Sequence, residues 1–336
     1  MNFFYKIIFF FTFSLFFLFD AANAQNESEN FQSWLNKFKK SALINGISQN
    51  TIDVTFKDVK FLDQVIKYDR KQPEFFEDTN TYVNKRATVS RARTANKLLI
   101  KNADLFTEIE KKFLVEKEIL LALWGVETNF GKHVGKMNII SCLATLSYDK
   151  RRREFFSSQL LTLLKLVDKN LVDPKKLYGS WAGAYGNFQF MPSTIKRFAI
   201  DYDGNQKIEL KSSLEDSVAS AANYISQIGW KINQPCFYRV KLNNKIKMKF
   251  INSSASKIKN RLKVSDWTKK GIVNYDGSDL KTNLNAALVL PDLAFENGTI
   301  DSPAFLVFEN YEKILKWNKS LRFGITICTL ANMIKT

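Results

Sequence analysis

Apolar and polar residues follow a helical period along most of the chain. The segment 103–127 shows it most clearly, and from Ile119 to Val126 nearly every residue is apolar, which predicts a helix buried on most sides. Helices are also predicted over 79–100, over Glu154–Asn170 and over Leu214–Ile228. The pattern therefore predicts a mainly helical protein.

The period changes to two between about residues 236 and 251. The stretches CFYRVKL (236–242) and IKMKFI (246–251) alternate on either side of Asn243-Asn244, which is the pattern of a β-hairpin. We therefore expect an α+β fold, mainly α, with a small β-hairpin insertion.

Residues 1–24 have the form of a secretory signal peptide. Lys6 precedes a mostly apolar run from Ile7 to Phe19, and Ala22-Asn23-Ala24 fits the small-residue cleavage rule, which gives a mature start at Gln25. The run has 13 residues, fewer than the roughly 20 that span a membrane. No cysteine lies near the cleavage site to carry a lipid. We expect a periplasmic protein with no stable membrane anchor.

The chain is strongly basic, with 50 Lys+Arg against 33 Asp+Glu and a formal net charge of +17. In a cytoplasmic protein this charge would indicate nucleic-acid binding. In an exported protein the positive charge would instead favour contact with cell-wall polymers or anionic lipid. The alternative explanation of the charge is a basic bias of the whole proteome. We expect no nucleic-acid partner.

The rarest residues exclude several kinds of chemistry. The chain has one histidine, His133, and three cysteines, Cys142, Cys236 and Cys328. A zinc site of the usual Cys/His composition cannot be built from them, and a Ser-His-Asp triad would have to use His133. Chemistry based on carboxylates is the remaining expectation. The odd number of cysteines does not predict a disulfide framework.

Glu127 is the first candidate for chemistry. It ends the most apolar predicted helix, within LWGVETNFG, with Trp124 and Phe130 near it in sequence. Apolar surroundings favour the protonated form of a carboxyl group, so Glu127 is predicted to act as a general acid. The alternative is a helix-terminal Glu that is exposed to solvent.

A block rich in glycine and aromatic residues, GSWAGAYGNFQFMPS (179–193), is the second candidate. Gly183 and Gly186 would let a ligand approach the backbone, Gln189 offers a donor and an acceptor, and the aromatic rings offer faces for a sugar. A glycine-rich loop with core aromatics is the alternative.

These motifs resemble the lytic murein transglycosylase B family. The resemblance rests on WGVETNFGKHVGK (124–136), LATLSYDKRRREFF (143–156) and the block at 179–193, and it is extended by ANYISQIGW (222–230) and PAFLVFENYEKILKWNKS (303–320). The blocks cover most of the mature chain in the family's order.

The resemblance implies a lysozyme-like helical catalytic core and a set of site residues. Glu127 corresponds to the family's catalytic acid/base. The implied substrate-binding residues are Tyr82, Arg151, Arg152, Ser180, Gln189, Phe190, Tyr224, Trp317 and Asn318. The implied division is 1–24 signal peptide, 25–100 N-terminal helical part, 101–235 lysozyme-like catalytic core, 236–290 small β-containing insertion, and 291–336 C-terminal helical segment completing the core and cleft.

The resemblance also implies the reaction and the partner. Glu127 would first protonate the bond between N-acetylmuramic acid and N-acetylglucosamine in peptidoglycan glycan strands. It would then act as base while a 1,6-anhydro ring closes without water. The reaction requires no cofactor.

The stretch DYDGNQK (201–207) opens like an EF-hand calcium loop, which predicts Asp201, Asp203, Asn205 and the backbone carbonyl of Lys207 as ligands. Two residues depart from that pattern, Gln206 at position six and Ser212 at position twelve. A later acidic ligand, Glu215 or Asp216, would be needed. A polar turn without metal is the alternative.

Two other functions remain open from the sequence. A lysozyme-like hydrolase would need a second carboxylate for water, with Asp149, Glu154 or Asp168 as candidates. A non-catalytic wall-binding protein would not need Glu127 in its apolar setting.

Overall fold

The structure is a computed structural model that describes residues 30–71, 76–242, 246–293 and 302–335. The predicted signal peptide and the predicted turn at Asn243-Asn244 lie outside these residues. The described residues form fourteen α-helices and eight short strands. None of the helices in this described part is long and apolar enough to cross a membrane.

The N-terminal part consists of five helices, four of which begin at polar capping residues, whereas α3 begins after Leu62. The segment predicted as one helix over 79–100 is two helices, because the side chain of Thr88 accepts a hydrogen bond from the backbone of Arg91 and starts a second helix. The helices are α1 (Phe31–Ile44), α2 (Gln49–Phe56), α3 (Asp63–Arg70), α4 (Thr79–Arg86) and α5 (Val89–Lys101).

The most apolar predicted segment, 103–127, is also divided. Leu114 has a φ of 54°, and this left-handed residue ends the first helix. The second helix buries all residues from Ile119 to Gly125, as predicted. The helices of this part are α6 (Ala103–Phe113), α7 (Lys117–Thr128), α8 (Ile139–Tyr148), α9 (Arg153–Asp168), α10 (Pro192–Phe198) and α11 (Leu214–Gln227). A short strand pair, β1 (Met137–Asn138) and β2 (Tyr178–Gly179), joins two of the loops between them.

Residues 236–290, the predicted insertion, contribute most strands of a small mixed sheet, but the predicted hairpin pairing is wrong. The first predicted strand is present as β3 (Phe237–Lys241). Within the second stretch Met248–Phe250 forms a turn of 3-10 helix, and only the following Ile251–Asn252, β4, is extended. Alternation predicts a strand and its buried face, but it does not specify the partner.

Strands that come later in the chain complete the sheet. The antiparallel partners of β3 are β8 (Ala304–Val307) and β6 (Val273–Asn274), whereas β4 pairs with β7 (Asn285–Val289) in parallel. The strand order is β4-β7-β8-β3-β6, and β5 (Leu262–Lys263) pairs with β7. The remaining elements are α12 (Val264–Lys269), α13 (Glu309–Trp317) and α14 (Leu321–Lys335).

The buried apolar side chains form two clusters. The larger one lies among the helices, and the smaller one lies between the sheet and α12 around Trp267. A disulfide joins Cys236, just before β3, to Cys328 in α14. The odd number of cysteines did not predict this bond. The partners lie 92 residues apart, and an odd count does not exclude one bridge. Cys142 stays a buried free thiol.

Candidate active site

Glu127 lies in the last turn of α7 and meets the end of a helix from the other end of the chain. The indole Nε1 of Trp317, at the C-terminus of α13, donates a hydrogen bond to Glu127 Oε1 over 2.9 Å. The carboxyl group is half-buried. The alternative expectation of a fully exposed Glu is therefore wrong.

Aromatic rings from three parts of the chain surround this contact. Trp317 stacks on Tyr224 of α11 with ring centroids 5.0 Å apart and an angle of 21°. Phe190 contacts Trp317 with ring centroids 5.3 Å apart at 60°, and Phe198 stacks on Tyr224 with centroids 4.4 Å apart. The Tyr224 hydroxyl donates to the backbone oxygen of Lys316, and burial raises the pKa of Tyr224. These four rings, Phe190, Phe198, Tyr224 and Trp317, form an aromatic wall beside Glu127, and their contacts hold Trp317 in place.

The chain leaves α7 through two successive non-glycine residues in the left-handed region, Asn129 (φ 49°) and Phe130 (φ 59°). Such backbone persists only where the surroundings hold it, and it is often found at functional sites. The Thr128 hydroxyl accepts from the backbone of Gly131 and donates to the backbone oxygen of Asn187. The loop beside Glu127 is therefore fixed on the glycine-rich block.

Asn187 connects that block to both sides of the site. Its Oδ1 accepts from the Trp124 indole over 3.1 Å, and its Nδ2 donates to Ser217 Oγ over 3.1 Å. The side chain is 6% exposed. Asn187 thus joins α7, which carries Glu127, to α11, which carries Tyr224. Sequence reasoning did not single out Asn187, although a polar residue within a glycine and aromatic run was a usable signal.

The other predicted residues of the block serve mainly to shape its loop. Gln189 has a φ of 50°, and its Nε2 donates to the backbone oxygens of Gly186 and Val134 over 2.9 and 3.2 Å. The Ser180 hydroxyl oxygen accepts from the backbone of Ala184 over 3.0 Å. These contacts place Gln189 against the loop that follows α7.

Gly135 and Gly179 let the two loops touch. Gly135 has a φ of +85°, and a Cβ there would lie 2.1 Å from the carbonyl oxygen of Gly179. The contact continues into the β1–β2 pair, in which Met137 lies opposite Gly179. Only glycine permits this backbone conformation and this approach together.

The predicted arginines bind a buried carboxylate. Arg151 Nε donates to Asp69 Oδ2 over 2.8 Å, and Arg152 forms an ion pair with Asp69 Oδ1. Arg70, the neighbour of Asp69, pairs with the same carboxylate and with Asp149. Asp69 is 2% exposed. No sequence motif indicated that Asp69 would organise this cluster.

Two further predicted substrate-binding residues, Tyr82 and Asn318, differ in their exposure. Tyr82 is 2% exposed, with the guanidinium of Arg86 3.7 Å from its ring centroid, so its ring offers little surface to a ligand. Asn318 caps the C-terminus of α13 and lies half-buried directly after Trp317.

The acidic loop brings together three carboxylates. Ligand oxygens of Asp201, Asp203 and Asp216 lie within 4.8 Å of one another. Gln206 has a φ of 68°, so it adopts the left-handed conformation that glycine takes at position six of an EF-hand loop. Asn205 Oδ1 accepts from the backbone of Lys207 instead. The cluster offers hard oxygen donors of the type that calcium prefers.

Comparison with known proteins identifies the family. Residues 30–332 match the Transglycosylase SLT domain family. The chain is 44% identical over 117 residues to membrane-bound lytic murein transglycosylase B of Escherichia coli (strain K12), an alignment that covers 34% of this chain and 32% of that protein. The chain therefore spans about a third of that curated relative.

Solved structures share the fold over nearly the whole chain. SltB3 of Pseudomonas aeruginosa, crystallised in complex with NAG-NAM-pentapeptide, is 34% identical with a TM-score of 0.81, covering 91% of this chain and 80% of that one. Slt35 of Escherichia coli, in complex with calcium, is 24% identical with a TM-score of 0.74, covering 90% and 92%. These structures support the predicted mainly helical, lysozyme-like fold with small sheets. The chain belongs to the lytic murein transglycosylase B family.

Proposed function

We propose that the protein is a peptidoglycan lytic transglycosylase that cleaves the bond between N-acetylmuramic acid and N-acetylglucosamine without water. The observation that carries the proposal is the half-buried carboxyl group of Glu127, which is hydrogen-bonded to Trp317 beside an aromatic wall. The complex of SltB3 with NAG-NAM-pentapeptide supports the substrate class.

In the first step Glu127 acts as the acid. Its protonated carboxyl group gives the proton to the bridging oxygen, the glycosidic bond breaks, and the N-acetylglucosamine side leaves with a free hydroxyl. Positive charge develops on the anomeric carbon of the muramic residue, and the substrate's own N-acetyl group stabilises it. A positioned general acid of this kind contributes about 10²–10⁴-fold to the rate.

In the second step the same group acts as the base. The Glu127 carboxylate takes the proton from the muramic C6 hydroxyl, whose oxygen attacks the anomeric carbon and closes the 1,6-anhydro ring. The proton is back on Glu127, so the enzyme is ready for another turnover. The Trp317 indole donates to Oε1, which stabilises the carboxylate between the two steps.

The surrounding residues would hold the glycan strand. The half-buried rings of Tyr224 and Trp317 would offer apolar surface for sugar rings. Phe190 is 3% exposed, so it supports Trp317 from behind and offers little surface to a ligand. Ser180, Gln189 and Asn318 lie on the adjoining loops. The side chains of Arg151 and Arg152 are 41% and 37% exposed despite their contact with Asp69. Their outward N–H groups remain candidates for pairing with muramyl lactyl or peptide carboxylates.

A hydrolase would need a second carboxylate that holds water. Asp149 accepts from Arg70 over 2.9 Å, and Asp168 accepts from the hydroxyls of Ser48 and Thr51 over 2.6 and 2.7 Å. Glu154 is exposed in the first turn of α9. The contacts of Asp149 and Asp168 give both residues structural roles and favour the reaction with one carboxyl group.

The Glu127→Gln variant tests the proposal. It keeps the size of the side chain but cannot give a proton, so we expect turnover of purified murein to fall about 10⁴-fold. Binding of murein should stay within about twofold of wild type. Glu154→Gln is the matched control and should keep full activity. Activity retained in Glu127→Gln, or lost equally in Glu154→Gln, would contradict the assignment.

We also propose that the acidic loop binds calcium as a structural ion. Asp201, Asp203 and Asp216 would supply carboxylate oxygens, with Asn205 and the Lys207 carbonyl completing the loop after a small rearrangement. Calcium would then raise the melting temperature by mass action. A flat calorimetric titration at millimolar calcium, with an unchanged melting curve, would favour the polar turn without metal.

Finally, we propose that the protein is exported to the periplasm and that residues 1–24 are removed. The pattern of residues 1–24 supports this, and so does the Cys236–Cys328 disulfide, because such bonds persist in oxidising compartments. N-terminal sequencing should find Gln25 first. A protein that retains Met1 would contradict removal of the signal peptide.

A further inference from the structure

The positive charge of the chain is concentrated in the β-containing insertion. Residues 236–290 contain twelve Lys+Arg against three Asp+Glu, a net charge of +9 out of +17 for the whole chain. About a sixth of the residues therefore carries more than half of the net charge. A proteome-wide bias would distribute the charge evenly, so this asymmetry requires a local explanation.

Four of these lysines line one groove. Lys247 and Lys249 border it on one side, and Lys269 and Lys270, at and after the end of α12, border it on the other, around a volume of about 490 Å³. All four side chains belong to exposed residues. The groove is thus an open concave surface with ammonium groups on both sides.

The floor of the groove is an aromatic ring that packs on the small core cluster. Phe250 lies half-buried between the lysines, with the ammonium groups of Lys249 and Lys270 5.3 and 5.2 Å from its ring centroid. Phe250 packs edge-on against the fully buried Trp267, whose indole donates to the backbone of Ala286 in β7. The ammonium groups of both lysines therefore lie near the same ring.

The positive charges in the groove are mostly uncompensated. Lys269 lies 3.5 Å from Asp266. Within the described part of the chain, Lys247, Lys249 and Lys270 have no carboxylate within the 4.0 Å of an ion pair. Lysines held near one another without acidic neighbours repel each other, and an anion that enters the groove relieves this repulsion.

The groove is separate from the candidate active site. Its apolar residues pack on the smaller cluster around Trp267, whereas the rings beside Glu127 belong to the larger helical cluster. A ligand here would therefore not compete with a glycan strand at Glu127.

We propose that this groove, defined by Lys247, Lys249, Lys269, Lys270 and Phe250, binds carboxylates of murein stem peptides. The proposal rests on the proposed function, since it takes the same polymer as the occupant. Ammonium groups match the charge of peptide carboxylates, and the concave shape fits a peptide better than a flat lipid surface. A second contact on a long polymer raises the effective concentration of substrate at the cleft.

Binding to purified insoluble murein tests the proposal. The variant Lys247→Gln/Lys249→Gln/Lys270→Gln should bind about tenfold more weakly than wild type at low ionic strength, since each exposed pair contributes modestly. The difference should vanish in about 1 M salt, where the screening length is roughly 3 Å. Removal of stem peptides with an amidase should abolish the difference as well.

A control variant separates the groove from net charge. Lys97→Gln/Lys101→Gln/Lys111→Gln removes the same charge from exposed positions on α5 and α6 and should bind like wild type. Equal loss in both variants, or no loss in either, would overturn the proposal. So would a loss of binding to anionic lipid vesicles with binding to murein unchanged.

Turnover of a short soluble glycan distinguishes this proposal from the proposed function. Such a substrate reaches only the cleft, so the groove variant should cleave it at the wild-type rate. If neither protein cleaves it, the proposed function fails, and the binding comparison still decides the role of the groove.

Discussion

Asp69 is a buried carboxylate that three arginines share, and its ionisation affects stability. Burial alone would raise the pKa of Asp69, but hydrogen bonds and charge from Arg151 and Arg152 outweigh it and lower the pKa. A group with a lowered pKa in the folded state stabilises the protein above its unfolded-state pKa. That stabilisation is lost as the pH falls through the folded-state value.

Asp69→Asn is therefore expected to destabilise the protein at neutral pH. Breaking a fully buried ion pair costs about 3–5 kcal/mol. We expect about 2 kcal/mol here, because the side chains of Arg151 and Arg152 are 41% and 37% exposed and solvent screens them. Urea unfolding at several pH values measures the effect.

The difference between wild type and Asp69→Asn should be constant above pH 5 and should shrink below pH 3.8, the ordinary pKa of Asp. A difference that is the same at every pH would mean that Asp69 acts through packing and not through charge.

Among single residues, the sequence predicted those whose surroundings are set by neighbours in the sequence. Glu127 was a candidate because it ends the most apolar predicted helix beside Trp124 and Phe130, and its side chain is half-buried in the structure. Its catalytic role stays a prediction. Its contact with Trp317 joins residues 190 positions apart, which no local pattern specifies. Asn187 and Asp69 were missed because their roles depend on partners from distant elements.

At the scale of elements, the approach of the loop after α7 to the glycine-rich block depends on Gly135. Gly135→Ala should lower turnover about 100-fold, because displacement of positioned groups by about 1 Å has effects of that size. A Cβ would meet the Gly179 carbonyl oxygen at 2.1 Å and push the two loops apart. Steady-state kinetics on soluble glycan strands measures the effect.

Gly277→Ala is the matched control for this prediction. Gly277 has the same φ of +85°, but a Cβ there has nothing within 4 Å. Both variants should lose about 1–2 kcal/mol of stability from the left-handed conformation. Gly135→Ala should lose more, because its Cβ also meets the Gly179 backbone, and only Gly135→Ala should lose activity. Equal turnover in the two variants would show that the loop contact is unimportant.

At the scale of elements, helices were predicted best where the apolar residues keep one helical period from end to end. The bounds of α9 and α11 agree with the predicted helices to within a few residues. The breaks at Leu114 and Thr88 were not predicted, because a left-handed residue and a capping side chain interrupt the helix without changing the apolar pattern. The partners of β3 were not predictable from alternation, since β8 lies more than sixty residues later.

At the scale of the whole molecule, the Cys236–Cys328 disulfide joins the start of the sheet to the C-terminal helix α14. Replacing both cysteines by serine should lower the free energy of unfolding by about 2–4 kcal/mol, because the bond restricts the unfolded chain. Thermal unfolding with and without a reductant measures this.

The same experiment has an internal control. A reductant should lower the melting temperature of wild type to that of the double variant and leave the double variant unchanged. A wild-type melting temperature that the reductant does not change would contradict a stabilising bond.

Cys142 should stay unmodified by an alkylating reagent in the folded protein, because burial raises the pKa of its thiol to about 12 and the thiolate is the reactive form.

Digestion of purified murein in ¹⁸O-labelled water distinguishes cleavage of the glycan bond without water from hydrolysis. Mass spectrometry should find 1,6-anhydromuramic ends that carry no ¹⁸O, since the closing oxygen comes from the substrate's own C6 hydroxyl. Reducing muramic ends with one ¹⁸O for each cleaved bond would contradict cleavage without water and would identify the protein as a hydrolase.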